Sequence, residues 1–231
     1  RIHPPNHQAL QKLLGRTDFI YVADCKLATK ENLEKIAAWH GRFVSVMPRT
    51  WKEDELFRQE VREGMVKWKH ILSRPNNRKL DSKLDRYYVA ESAHCTACGY
   101  HLHWIRSTQK AEQDAETRER RIEQALEQLR VIQVKLNTYN LKQRKQIAQR
   151  VDSILAKGHC QKLIRYDIQA TRHYKRIYKK KGRPQKDDSY RTVWSQSFTL
   201  TFDVDQEEVR KDKKTDGVFP LITNLDPKEY S

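Results

Sequence analysis

The chain has 231 residues, with 46 Lys and Arg against 30 Asp and Glu, for a formal net charge of +16. So basic a globule repels itself unless a polyanion is present, which makes nucleic acid or an anionic membrane the expected partner class. No apolar run approaches the roughly 20 residues of a spanning helix and no signal peptide opens the chain, so no membrane partner is expected.

Four cysteines are too few for a disulfide scaffold at this length and favour reduced thiols in a cytoplasm. The chain opens with Arg1 rather than Met, the start of a processed or partial product.

The first zone, to about Thr50, reads as α/β. Phe19-Ile20-Tyr21-Val22-Ala23 is nearly continuous apolar and β-rich, the pattern of a strand buried on both faces. It stops at Asp24. Thr29 offers an N-cap hydroxyl, and Leu33, Ile36 and Ala37 mark one face of a short helix. Gly41 serves as its C-terminal stop. A second strand follows at Phe43 to Met47, closed by Pro48. Strand, helix, strand at this spacing predicts a βαβ unit and a parallel sheet.

The middle zone, about Trp51 to Lys214, is charged and lacks that alternation. Strands are expected at Lys67 to Ile71, Arg86 to Ala90 and Gly99 to Arg106. A long helix begins near Ser107 or Thr108. Ile122, Ala125, Leu129, Ile132, Leu136 and Tyr139 repeat in steps of three and four, a heptad seam. A second helix with Ile147, Val151 and Ile154 on one face stops at Gly158, so two antiparallel helices are expected. The seam is short enough that packing within the chain is favoured over a dimerising coiled coil. The last zone returns to β signals at Val193 to Val204 and Val218 to Thr223, where Pro220 argues for an edge position or a bulge.

Three groups of residues carry chemistry. Asp24 lies at the carboxyl end of a predicted parallel strand, where α/β sheets place their sites. Several such carboxylates can hold two Mg²⁺ ions and activate water against a phosphodiester. Lys179-Lys180-Lys181-Gly182-Arg183-Pro184-Gln185-Lys186, with Arg172, Lys175, Arg176 and Tyr178 upstream, mixes charge with aromatics and with a narrow Gly-Arg-Pro turn suited to the A·T minor groove. Cys95, Cys98, His101 and His103 have a zinc-like look. Alternation instead turns both histidines to the face opposite Leu102 and Trp104, and no second knuckle exists, so zinc is not expected.

The strings Asp18-Phe19-Ile20-Tyr21-Val22-Ala23-Asp24-Cys25-Lys26-Leu27, Thr29 to Leu33 and Phe43 to Thr50 resemble the region around the second catalytic aspartate of bacterial insertion-sequence DDE transposases. The likeness is to the insertion-sequence-four-type superfamily, in the branch with a long helical insertion. Trp104 to Asp114 with Arg118 and Arg121, Lys181-Gly182-Arg183-Pro184, and Asp216-Gly217-Val218-Phe219-Pro220-Leu221-Ile222-Thr223-Asn224 follow in the same order as that branch's insertion helix, basic turn and returning strand.

The resemblance implies an α/β fold: part of an RNase-H-like core over 1–50, a large α+β insertion with a helical hairpin over 51–214, and a return strand over 215–231. It implies DNA strand cleavage and transfer at transposon ends, Mg²⁺ or Mn²⁺ as cofactor with Asp24 as one ligand of the complete site, and a homodimer as the form of the intact protein. The first Asp and the Glu of the family lie outside the matched positions. Glu229 falls too close to the strand, and Asp216 matches the family's Asp-Gly. The chain therefore reads as an internal, catalytically incomplete stretch of a transposase. The alternative is a non-catalytic nucleic-acid-binding remnant or regulator.

Overall fold

The computed structural model describes residues 2–75, 84–91, 94–178, 189–226 and 228–229. In chain order the elements are α1 (His3–Leu14), β1 (Ile20–Ala23), α2 (Lys30–Ala38), β2 (Arg42–Val46) and α3 (Lys52–Glu63). Next come β3 (Trp68–Pro75), β4 (Leu84–Ala90), β5 (His94–Cys95), β6 (His101–Ser107), α4 (Thr108–Lys135) and α5 (Arg144–Gly158). The chain closes with β7 (Ile164–Tyr178), β8 (Tyr190–Val204), α6 (Gln206–Lys213) and β9 (Val218–Thr223). Two compact units result: residues 1–115 with 211–231, and residues 116–210. The division falls at 115/116 and 210/211, whereas the sequence zones part at 50/51 and 214/215, because β3, β4 and β6 join the sheet that β1 and β2 begin.

The first unit is a mixed α/β layer structure. Its sheet runs β1-β2-β9-β6-β4-β3, with β5 added to β6. The predicted βαβ is present: β1 pairs parallel to β2, Ile20 opposite Arg42 through Ala23 opposite Ser45. Every other pairing described is antiparallel, so the parallel sheet expected from the sequence is confined to one pair.

Helix α2 starts where the sequence places it, with the Thr29 hydroxyl accepting from Asn32 N–H. Its left-handed residue is His40, φ 55°, one before Gly41. Gly41 is small for another reason: a Cβ there would lie 2.5 Å from His7 Nε2.

The strand β1 is not buried on both faces. Tyr21 and Ala23 face the core of Leu27, Leu33, Ile36 and Phe43, while Val22 on the other face is 72% exposed. It is the edge strand of the sheet, and its uninterrupted apolar run conceals that only one side has a cover. The helix α1, which periodicity did not reveal, contributes to that cover. It packs through His7, whose ring lies against Phe19, Tyr21 and Trp39.

Pro220 sits at neither an edge nor a bulge, since β9 runs between β2 and β6. It is tolerated because β2 ends beside it. In an antiparallel strand a residue's N–H and C=O point to the same side. The Pro220 carbonyl accepts from Met47 N–H, just past the last β2 residue, so the missing donor removes one bond at the very end of the β2 ladder and none within it.

Buried polar anchors tie the distant segments of this unit together. Arg58 on α3 pairs with Asp54 at 2.7 Å and donates to the carbonyls of Thr215 and Val218. Asp85 on β4 accepts from Ser107 Oγ, Thr108 Oγ1 and Gln109 N–H, capping the start of α4. Burial pushes the Asp85 carboxyl up, and these hydrogen bonds together with Tyr87 outweigh it, leaving it below its ordinary value. Gly217, φ 77°, needs to be glycine: a Cβ would lie 2.3 Å from the Ser107 carbonyl oxygen.

The second unit is a helical hairpin packed on a two-stranded ribbon. Ala125, Leu129 and Ile132 of α4, Ile147, Val151 and Ile154 of α5, and Ile164, Ile168, Phe198 and Leu200 of the ribbon form one buried cluster. The heptad seam is thus covered from within the chain. Tyr139 is not part of it; α4 ends at Lys135, and Tyr139 is 91% exposed in the turn, with φ 41°. Among the described residues no helix is long and apolar enough to cross a membrane.

Candidate nucleic-acid interface

The strands β7 and β8 pair in unbroken register from Ile164 opposite Val204 to Tyr178 opposite Tyr190. Fifteen residues per strand make a ribbon about 50 Å long at roughly 3.3 Å per residue. Residues directly opposite share a face, and faces alternate along each strand. One face therefore carries Ile164, Tyr166, Ile168, Phe198, Leu200 and Phe202 near the helices, then Arg172, Tyr174, Arg176, Thr192, Trp194 and Gln196 further out. The other carries Arg165, Asp167 and Gln169, then His173, Lys175, Arg191 and Val193.

The inner half is fixed by apolar burial and by amides. Asn137, φ 64°, exchanges two hydrogen bonds with the Phe198 backbone, at 3.0 and 2.7 Å. Gln133 donates to the Leu200 carbonyl. Tyr166 donates to Asp152, and burial, with that carboxylate beside it, pushes its hydroxyl up to about 12. At the base, Asp205 accepts from Arg165 and from the N–H groups of Glu207 and Glu208. Burial raises its carboxyl, these partners lower it by more, and it stays below its ordinary value.

The outer half is different. From Ala170 to Ile177 and from Tyr190 to Gln196 every residue is exposed. This stretch carries Arg172, Lys175, Arg176 and Arg191 and no acid. Trp194 is 67% and Tyr174 65% exposed, with ring centroids 5.7 Å apart. The Arg176 guanidinium lies 4.7 Å from the centroid of the Tyr190 ring. Arg172, Lys175 and Arg176 were expected from the sequence as DNA-contacting residues; the ribbon places Arg172 and Arg176 on one face and Lys175 on the other. The remaining members of that expectation, Lys179, Lys180, Lys181, Gly182, Arg183 and Pro184, lie outside the described residues. Arg191, Trp194 and Tyr190 escaped the sequence reading. The alternation Ile164, Tyr166, Ile168 against Arg165, Asp167, Gln169 was the signal that would have found β7 and its pairing with β8.

Asp24 follows β1 at its carboxyl end, exposed. Its Oδ1 accepts from Lys26 N–H at 3.0 Å, its carbonyl accepts from Ser45 Oγ, and His3 Nε2 stands 3.6 Å from Oδ1. Glu229 lies 3.9 Å from Arg42, which pairs with the first residue of β1, so Asp24 and Glu229 sit at opposite ends of that strand pair. Glu31 pairs with Lys35 and Glu34 with Lys30 on the exposed side of α2. Mg²⁺ or Mn²⁺ needs several fixed oxygens, and one exposed carboxylate that also caps a turn does not supply them. Among the described residues no group of three or more His, Cys, Asp or Glu is placed to hold a metal ion. The described donor set does not fit such an ion.

Leu102 and Trp104 are buried while His103 is exposed, as the alternation predicts. Cys95 Sγ lies 3.7 Å from His101 Nδ1, and Cys95 and Cys98 are free thiols. Set against family models, curated proteins and solved structures, the chain has no match in any of the three.

Proposed function

We propose that this chain binds DNA through the outer half of the β7–β8 ribbon. The observation that carries this reading is the cluster of four exposed cations with no acid on that stretch, in a chain of net charge +16. A two-stranded ribbon fits the major groove of a duplex, and each neutralised phosphate releases counterions. The test is binding to a short duplex over a salt series. Affinity should fall by orders of magnitude between about 50 and 200 mM salt. The variant Lys175→Ala, Arg191→Ala should weaken binding and flatten the salt slope by about two phosphates. A flat salt response overturns the reading.

Within that reading the chain is a transposase polypeptide, with residues around β1, α2 and β2 forming part of an RNase-H-like core and the second unit inserted in it. Support comes from the collinear resemblance and from an exposed Asp24 ending a strand of a parallel βαβ. A non-catalytic nucleic-acid binder is the second reading, favoured by the solitary position of Asp24. DNA-end cleavage with Mg²⁺ or Mn²⁺, assayed for a version extended into the flanking reading frame, separates them, because Asp24 alone cannot position the metal. Metal-dependent cleavage abolished by Asp24→Asn supports the enzyme. Salt-sensitive binding without cleavage, unchanged by Asp24→Asn, supports the binder.

A further inference from the structure

Duplex binding through phosphates accounts for the cations of the ribbon but not for its aromatics. Tyr174 and Trp194 face each other across the strands and remain about two-thirds exposed. Tyr190 lies on the same face under the Arg176 guanidinium. Tyr174 and Trp194 continue the face that is buried nearer the helices through Ile168, Phe198 and Leu200, yet both stay largely exposed. Same-face residues recur at about 6.6 Å along a strand, so flat rings and cations alternate along this surface.

We infer that the outer aromatic face of the ribbon, centred on Tyr174 and Trp194, is a stacking platform for unpaired bases, with Arg172 and Arg176 holding the intervening phosphates. In a duplex the flat faces of the bases are already stacked on one another and unavailable to a side chain. In a single strand, or a melted segment, every base offers a π-face, and aromatic residues beside cations are the chemistry that binds it without regard to sequence. Trp, Tyr and Arg are also favoured at protein interfaces; the net charge of +16 and the absence of any acid on 170–177 and 190–196 favour a polyanion over a protein partner. Here Arg172 and Arg176 flank the aromatic positions on the same face.

The inference rests on the proposal that the ribbon binds nucleic acid, and it names the substrate class. The experiment compares a labelled oligothymidylate of roughly 20 nucleotides, long enough for one binding site, with a duplex of the same length. Trp194→Leu and Trp194→Phe are assayed beside the full chain, together with Lys175→Ala, Arg191→Ala, whose changes lie on the opposite face. Leucine keeps an apolar side chain and lacks the π-face; phenylalanine keeps both.

The expected result is a loss of about tenfold in oligothymidylate affinity for Trp194→Leu, a near-normal value for Trp194→Phe, and duplex affinity within about twofold for both. A structural role for Trp194 would weaken duplex and single strand together and would lower the thermal midpoint; that result overturns the inference. So does oligothymidylate binding that is indifferent to Trp194→Leu, and so does a self-association that Trp194→Leu abolishes while nucleic-acid binding persists. If the duplex binds with the expected salt slope and only the stacking result fails, the DNA-binding reading stands alone. If neither nucleic acid binds, both fall.

Discussion

The two units solve the problem of stability with different chemistry. The first is assembled from two stretches of chain and is tied by buried polar groups that reach across them. Arg58 holds the carbonyls of Thr215 and Val218, Asn224 holds Phe43 N–H and the Gly41 carbonyl, and Thr223 donates to the Phe43 carbonyl. The second is one continuous stretch whose core cluster is apolar; among its described residues, Arg118 and Asp205 are the buried polar ones. Polar anchors specify which segments meet, at the risk of a large loss when one partner is removed. An apolar cluster is more forgiving of any single contact and leaves one face of the ribbon to other work.

The sharpest way to break this comparison is at Arg58. Arg58→Ala should cost about 3–5 kcal/mol, because Asp54 is left as a buried charge and two carbonyls lose their donor. Asp54→Ala together with Arg58→Ala should cost less than Arg58→Ala alone. Denaturant unfolding with hydrogen exchange should show protection lost in the first unit and kept in the second. Leu129→Ala does the reverse: a buried leucine of the hairpin is removed, at about 2–5 kcal/mol, with protection lost in the second unit. A like response of both units to either variant would mean that they do not unfold separately.

Smaller effects sharpen the contrast. Gly217→Ala should cost roughly 1–3 kcal/mol from the left-handed backbone, plus the contact with the Ser107 carbonyl, and should act on the first unit. The first unit should also respond to acid through His7. Its ring is fully buried, neither nitrogen has a hydrogen-bond partner, and burial lowers it from its ordinary value of 6.5. The folded state therefore keeps His7 neutral where the unfolded chain binds a proton, so stability is present above about pH 6.5 and declines as pH falls below it. His7→Phe should flatten that part of the pH profile; a slope unchanged by the substitution would assign it to other groups. The smallest effect is expected at Asp24. Asp24→Asn can still accept from Lys26 N–H, and thermal stability should stay within about 0.5 kcal/mol.

The same contrast decides what could be read from the sequence. The second unit's hairpin was legible because Ala125, Leu129, Ile132, Ile147, Val151 and Ile154 make their own periodic pattern. The unit β1-α2-β2 was legible from one apolar run, one cap and one spacing. The helix α3 was not, since half of its buried face is the Asp54–Arg58 pair, which a count of apolar residues scores as surface. The helix α1 was missed for a related reason: its buried anchor is His7. The edge position of β1 and the central position of β9 depend on which strands meet, and no local pattern encodes that. At the site, the sequence singled out Arg172, Lys175 and Arg176 by charge. It missed Trp194 and Arg191 because their meaning comes from cross-strand register, which appears only once β7 is recognised as a strand.

Gly217 N–H donates to Asp114 at 3.0 Å, and the two residues are 103 positions apart in the chain. Ser107 N–H also donates to the Gly217 carbonyl. From the standpoint of the sheet, everything between these residues is a single loop whose ends are already clasped. Closure entropy grows only with the logarithm of loop length, about 0.6 kcal/mol per doubling. The first unit is therefore nearly indifferent to how much chain is spliced into that position. Insertions there could lengthen, shorten or be exchanged wholesale in evolution, or by design, while the clasp and the sheet beneath it stay the same.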